Sequence, residues 1–154
     1  MSIRLLTASD YDALLTQIKE LDQIHADSRP DYFLPRENPF PRDVYLESIT
    51  AEDYLILGAF REDGAMDGFA MAALKPDSGL IKGMKTLLLD NLYVRPEARR
   101  QGIAASLMDA VTRWGREQGA QRMDLHVWAF NEKALAFYRA MGLTPQRYVL
   151  EKKL

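Results

Sequence analysis

The sequence predicts one α+β domain, and three observations predict it. Strand-like runs at Tyr54–Phe60, Phe69–Leu74 and Lys85–Val94 succeed one another with only turn residues between them, which is the pattern of antiparallel hairpins. A helical stretch, 103–117, then separates the strand ending at Val94 from one starting at Arg122, which is the pattern of a β-α-β crossover. At 154 residues, with 47% apolar and 27% charged residues, the chain fits a single soluble domain spanning 1–154.

The elements follow in order. Ile3–Leu6 reads as a short strand. Thr7–Asp10 offers N-cap residues, and Leu14, Leu15, Ile18, Leu21 and Ile24 then recur at helical spacing, so a helix is expected over Ser9–Ala26. Ser28–Pro41 holds Pro30, Pro35, Pro39 and Pro41 together with Tyr32, Phe33 and Phe40. Proline denies it a regular helix while the aromatic rings favour burial, so an ordered loop packed on the body is expected. Arg42–Ile49 reads as a second helix. After the 54–60 strand, Arg61–Gly68 is a turn region, and Pro76-Asp77-Ser78-Gly79 is another turn after the returning strand. In the helix at 103–117, Leu107, Met108, Val111 and Trp114 share one side, and Gly119 stands where a C-cap glycine belongs. Arg122–Trp128 is a strand, Asn131–Met141 a helix closed by Gly142, and Tyr148–Lys153 a final strand.

Composition excludes several functions. A formal charge of −2 gives no electrostatic footprint for nucleic acid. The absence of cysteine removes disulfides, thiolate nucleophiles and cysteine metal sites, and His25 and His126 alone cannot build a histidine-rich metal site; no metal is expected. The first residues lack the apolar core of a signal peptide, and no apolar run approaches the roughly 20 residues of a membrane helix. A cytoplasmic protein without membrane partners is the expectation.

The informative stretch is Leu87–Leu107. A strand runs into the turn Arg95-Pro96-Glu97-Ala98, then Arg99-Arg100-Gln101-Gly102-Ile103-Ala104 opens a helix. The first turn of a helix leaves backbone N–H groups unpaired, and the macrodipole adds about half a positive charge there. Gly102 and Ala104 limit side-chain bulk, and Arg99 and Arg100 add two cations in a place that opposes the dipole unless an anion is bound. The arrangement suits a pyrophosphate. The Gly-Lys-Ser/Thr ending of a Walker loop is missing, and one glycine is too few for the dinucleotide fingerprint.

These residues resemble the GNAT superfamily of N-acyltransferases. Arg99-x-x-Gly102-x-Ala104 matches its Arg/Gln-x-x-Gly-x-Gly/Ala signature, Leu92–Glu97 looks like its lead-in, and Asn131-x-x-Ala134-x-x-Phe137-Tyr138-x-x-x-Gly142-Leu143 looks like a second family block. The resemblance implies a mixed, mostly antiparallel sheet flanked by about four helices, with a central strand pair that splays apart. It implies acetyl-CoA as co-substrate in that gap. The pantetheine arm would run along Leu92, Tyr93 and Val94, pairing with the backbone of Leu92 and Val94. The amides of Arg99, Arg100, Gln101, Gly102, Ile103 and Ala104 would hold the pyrophosphate, Asn131 would lie beside the pantetheine, and Tyr138 would face the sulfur.

The implied chemistry is direct attack of a primary amine on a thioester in a ternary complex. Tyr138 is the candidate acid for the leaving thiolate, although a phenol of pKa about 10 gives a proton to a thiolate of about 8.5 only with local help. Asp90 is either the base or a carboxylate tied to neighbouring strands. A bulge near Leu92 would free its N–H for the carbonyl oxygen. His25, Tyr32 and Phe33 are candidate acceptor-binding residues, with packing and helix-dipole roles as the alternative. Trp128 reads as packing or a subunit contact, and a homodimer is admitted. The expected acceptor is a small-molecule amine; a protein or peptide amine and a non-catalytic acyl-CoA sensor are the alternatives.

Overall fold

A computed structural model of the chain describes residues 1–76 and 83–154. The elements are β1 (Ser2–Leu5), α1 (Tyr11–Ser28), α2 (Arg42–Ser48), β2 (Tyr54–Phe60), β3 (Met66–Lys75), β4 (Thr86–Val94), α3 (Ile103–Glu117), β5 (Arg122–Leu125) and α4 (Glu132–Ala140). One sheet runs β1-β2-β3-β4-β5. The first three junctions are antiparallel, and the β4–β5 junction, bridged by α3, is parallel.

The sheet separates two apolar cores. On one face Leu55, Leu57, Leu87 and Leu89 pack against Ile103, Leu107, Met108 and Val111 of α3. Those α3 positions fall four or three apart, so one stripe of the helix is apolar and buries Leu107 and Val111 completely. Gly115 continues the stripe because a Cβ there would stand 2.5 Å from Leu87 Cδ2. On the other face Leu14 and Ile18 of α1 and Tyr45 of α2 pack against Ile56, Phe69, Met71 and Tyr93. The proline-rich segment is tied to this layer, since Tyr11 Oη donates to Phe40 O at 2.8 Å.

The structure corrects three boundaries. The first helix starts two residues later than expected, because Thr7 and Asp10 form a capping box around a short 3-10 turn at Ala8–Asp10. β3 starts at Met66, which shortens the 61–68 turn. The expected turn at Pro76–Gly79 lies outside the described residues from Asp77 onward. β5 stops at Leu125 instead of reaching Trp128, because its partner turns away. Met71 pairs with Asn91 and Ala72 with Leu89, so Asp90 is the extra residue of a β-bulge in β4. The ladder with β5 ends there, at Leu89 opposite Leu125.

The expected strand at Tyr148–Lys153 is not formed. Residues 143–154 make no strand, and Tyr148, Val149 and Leu150 stand 81%, 90% and 91% exposed. β-forming residues become a strand only beside an edge that accepts their ladder, and no described strand pairs with them.

At the opposite end of the sheet, Asp10 joins β1 to α1. Its carboxylate accepts Arg4 Nη1 and Nη2 at 2.8 and 2.9 Å and Thr7 N at 2.7 Å. The Arg4 guanidinium lies 3.7 Å from the centre of the Phe60 ring. The Arg4 bonds, with Thr7, hold the Asp10 pKa at about 2. A depressed carboxylate contributes stability above its unfolded pKa of about 3.9 and loses it as pH falls through about 2. With Arg4 partly in solvent, that contribution is about 1–2 kcal/mol. Denaturation of wild type and Asp10→Asn should differ by that amount at pH 6 and converge near pH 2. A difference that persists unchanged to pH 2 would mean that the Asp10 charge does not supply it.

Candidate active site

The bulge at Asp90 and the end of the β4–β5 ladder open a gap on one side of β4. Which backbone groups face it follows from strand alternation. Arg95 N donates to Asp67 O of β3 at 2.9 Å. Tyr93 O also faces β3, lying 2.6 Å from where a Cβ on Gly68 would stand. Peptide groups two residues apart point the same way in a strand, so those of Leu92 and Val94 point to the side that β5 has left. The expected bulge is therefore present, centred two residues before Leu92.

Tyr93 lies between Leu92 and Val94 and faces the other way. Its backbone serves β3, its side chain is buried against Phe69, and its hydroxyl donates to Glu20 Oε2 at 3.0 Å. It is turned into the α1 layer, away from the gap.

The start of α3 lies just beyond Val94. Gly102 is its N-cap, with φ +81°, and Arg100 also takes a left-handed φ of +65°. The left-handed conformation accounts for glycine at 102, because a Cβ there would meet nothing within 4 Å. Ser106 N donates to Gly102 O at 3.0 Å, so the N–H groups of Ile103, Ala104 and Ala105 open the helix without helical acceptors, and no side chain caps them. No acidic residue occupies this first turn. Arg99 is folded back, donating Nε to Val94 O at 2.9 Å. Arg100 and Gln101 are exposed, and Arg100 makes no hydrogen bond or ion pair among the described residues. A cavity of about 510 Å³ adjoins this end, lined by Gln101 and Ile103 but also by Arg61, Glu62, Asp63 and Asp67, so its far wall is acidic and only the helix start itself suits an anion. These groups fit an anion: free amides, a helix start without a carboxylate, and an unpaired guanidinium.

Asn131 N-caps α4, its Oδ1 accepting Ala134 N at 3.1 Å. The cap occupies its carbonyl and leaves its amide group as a donor. Tyr138, two turns along, packs against the α3-side core beside Phe137. Its hydroxyl makes no hydrogen bond among the described residues, and burial pushes its pKa up to about 12. It therefore keeps its proton at neutral pH.

Asp90 belongs to the other face. Its side chain reaches solvent, but the groups around it reduce its hydration and push its pKa up. Tyr54, Lys75 and His126 pull the other way. Tyr54 sits opposite Ala73 of β3, which sits opposite Leu88 of β4, so its phenol reaches across β3 toward the bulge. Burial and the Asp90 charge raise the Tyr54 pKa. Sequence reading missed Tyr54 because cross-strand register, set by β3, brings it to Asp90.

The acceptor candidates do come together. His25 stacks on Phe33 at 5.3 Å, and Tyr32 and Phe33 both meet Trp128 edge-on, at 5.2 and 4.9 Å. Phe130 stacks on Trp128 at 6.1 Å and meets His25 at 6.2 Å. Burial lowers the His25 pKa. The cluster joins the end of α1 to the loop after β5, and a cavity of about 260 Å³ lined by Asp22, Tyr32, Phe33, Leu34 and Arg36 lies beside it. Trp128 and Phe130 were not expected as site residues; aromatic content alone does not separate a shared cluster from packing. Among the described residues no cluster of histidines and carboxylates could hold a metal ion, and no helix is long and apolar enough to cross a membrane.

Known proteins are similar to the chain in sequence and in fold. Residues 20–143 match the acetyltransferase (GNAT) family. The chain is 28% identical to the aminoglycoside N(6')-acetyltransferase type 1 of Salmonella typhimurium over 116 residues, 71% of this chain and 79% of the relative. Human N-acetyltransferase 8 is 40% identical over 58 residues, 38% of this chain and 26% of that one. The fold is that of a tetramutant of the BH1408 protein from Bacillus halodurans, with a TM-score of 0.92 over 100% of both chains at 24% identity. It is also that of aminoglycoside N-acetyltransferase AAC(6')-Iy in complex with CoA, with a TM-score of 0.74 over 99% of this chain and 93% of that one at 22% identity. With the match extending from within α1 to the end of the α4 block, the chain belongs to the GNAT family and is an acetyltransferase.

Proposed function

We propose that this acetyltransferase moves an acetyl group from acetyl-CoA to a primary amine of a small molecule, by direct attack in a ternary complex. The observation that carries the reading is the pairing of two features at one end of β4. The Leu92 and Val94 peptide groups face the side left by β5, and the uncapped start of α3 follows within ten residues. An extended arm with amide groups would add to the free side of β4 as a further strand. Its pyrophosphate would sit on the Ile103, Ala104 and Ala105 amides beside Arg100. The Asn131 amide would donate to the arm.

Acetyl-CoA supplies an acetyl group activated as a thioester. The protein's own groups do the rest. Asp90, directly or through water, takes a proton from the incoming ammonium so that the free amine can form the C–N bond. The Leu92 N–H donates to the carbonyl oxygen, where negative charge grows. Tyr138 Oη gives its proton to sulfur as the C–S bond breaks, and the second proton that the acylated nitrogen sheds returns to the phenolate through water. Its pKa of about 12 makes it a weak acid, so its contribution is expected to be modest.

The acceptor side rests on the aromatic cluster. His25, Tyr32 and Phe33 with Trp128 wall a compact space beside Asp22, which suits a small amine better than a polypeptide. The relatives named aminoglycoside acetyltransferases support a small-molecule acceptor class. A cytoplasmic homodimer completes the reading. A panel of small amines and peptides, with CoA release as the readout, tests it; turnover confined to peptides would overturn the acceptor assignment.

Gly102→Glu should reduce CoA affinity by at least 100-fold, because a carboxylate enters the anion site and the left-handed position disfavours any side chain. Gly102→Ala should keep most affinity while costing about 1 kcal/mol of stability. Unchanged affinity in the glutamate variant would remove the site from the start of α3. Tyr138→Phe should lower kcat about 10- to 100-fold with CoA affinity within threefold, and equal turnover would end its role as acid. Because Asp90 must be ionised to act as base and its pKa is raised, the acid limb of kcat/KM should lie above the usual carboxylate range near 4. Asp90→Asn should abolish that limb and lower the plateau about 100-fold with the same amine. An unaltered profile would leave Asp90 as a strand-linking carboxylate.

A further inference from the structure

We infer that the acceptor is a monoamine whose ammonium is joined by a short linker to a flat apolar group, and that the site discriminates against polycations. This deepens the small-molecule acceptor of the preceding reading and rests on it.

The rings supply the apolar half of the site. His25, Tyr32, Phe33, Trp128 and Phe130 form one connected cluster, with ring centres 4.9 to 6.2 Å apart. None of them is fully buried. Tyr32 is 61% exposed, and its neighbour Leu34, at the rim of the adjoining cavity, is 86% exposed. A cluster that only packed two segments together would spend its rings on each other. This one keeps apolar surface open beside a cavity, where a planar group can stack or meet the rings edge-on. The cavity of about 260 Å³ falls just under the roughly 300–1,000 Å³ of pockets for drug-sized ligands, so it suits one ring rather than several.

The charges exclude a polycation. A substrate with several ammonium groups needs several unoccupied carboxylates. Within three residues of a cluster ring the sequence places Asp22, Asp27, Asp31 and Glu132. Asp22, the one carboxylate among the described residues that line the cavity, is held by Arg36 Nη2 at 3.0 Å. Asp31 is held by Arg29 Nε and Nη2 at 2.9 and 3.0 Å, and Arg29 also binds Glu151. The Arg29 guanidinium lies 5.3 Å from the centre of the Tyr32 ring, where it repels a further cation. Asp27 stands two residues past His25, which turns it to another face of α1, and it accepts Gln23 Nε2 at 2.6 Å. Glu132 lies in the first turn of α4, where it complements the helix start. Burial lowers the His25 pKa, so its imidazole is neutral at pH 7.

Asp90, the proposed base, is then the carboxylate left for the reacting ammonium. His126 lies close enough to Asp90 to act on its charge. Trp128 follows His126 by two residues, no more than about 7 Å of chain. An ammonium beside Asp90 therefore has the ring cluster within reach of a short linker, which sets the two halves of the substrate.

Acetylation of 2-phenylethylamine, ethylamine and kanamycin, a polycation, by the full chain at physiological salt tests the class. The expected kcat/KM for 2-phenylethylamine is at least about 30-fold above ethylamine, from burial of the ring, and at least about 100-fold above kanamycin. Trp128→Ala should cut the ratio of 2-phenylethylamine to ethylamine at least tenfold, with Phe33→Leu as the milder variant. Arg36→Ala frees Asp22 and should raise the ratio of kanamycin to 2-phenylethylamine at least tenfold. Each ratio is read within one variant, so loss of folded protein cancels from it. Calorimetry on the CoA-loaded protein repeats the wild-type comparison without turnover. Kanamycin used or bound as well as 2-phenylethylamine, a phenyl group that brings no gain over ethylamine, or ratios unmoved by all three substitutions would overturn the class and leave small-molecule acetyl transfer standing. CoA release with peptides alone would overturn the acceptor reading beneath it.

Discussion

The site depends on the loss of a ladder. β4 and β5 pair from Thr86–Arg122 to Leu89–Leu125, and then Asp90 bulges and the pairing stops. Buried backbone groups must find partners, so a central strand that loses its neighbour needs water or a ligand there. Every other part of the proposed donor site follows from that opening. Leu92 and Val94 turn their peptide groups into it, and α3 begins just past its end. α4 brings Asn131 and Tyr138 from the far side of the crossover. The bulge also places Asp90 on the face opposite the α3 layer, so the candidate acid and base approach from different layers.

The two cores make this opening affordable in physical terms. β3 and β4 are covered on both faces, by α3 on one side and by α1 and α2 on the other. The fixed half of the sheet, β1 to β4, therefore stays rigid without β5. The half that includes β5, α4 and residues 144–154 has no fully buried side chain in its two regular elements. Precision at the β4 side and incompleteness at the β5 side are properties of one design. The first holds the backbone donors in place, and the second leaves β5 and α4 partly exposed.

The residues proposed for the donor side are local in the sequence. Arg99 to Ala104 lie in one turn, and Asn131 to Tyr138 lie in one helix, so spacing alone brings them together. α3 was legible to the residue, since its stripe of Ile103, Leu107 and Val111 is strongly periodic. What sequence could not supply was register. The Tyr54–Asp90 proximity passes through β3, and the aromatic cluster joins residues about a hundred positions apart. Tyr93 stands between Leu92 and Val94, which face the gap, and alternation turns the middle residue away. The strand expected at Tyr148–Lys153 has the right composition but pairs with no described strand.

Backbone amide signals report the central claim most directly. In an isotope-labelled sample titrated with CoA, the N–H signals of Leu92, Val94, Ile103, Ala104 and Ala105 should shift and exchange more slowly with solvent. Those of Tyr93 and Arg95, which serve β3, should change far less. Protection spread evenly along β4, or confined to residues outside β4 and the start of α3, would contradict a donor site built on the separation of β4 from β5.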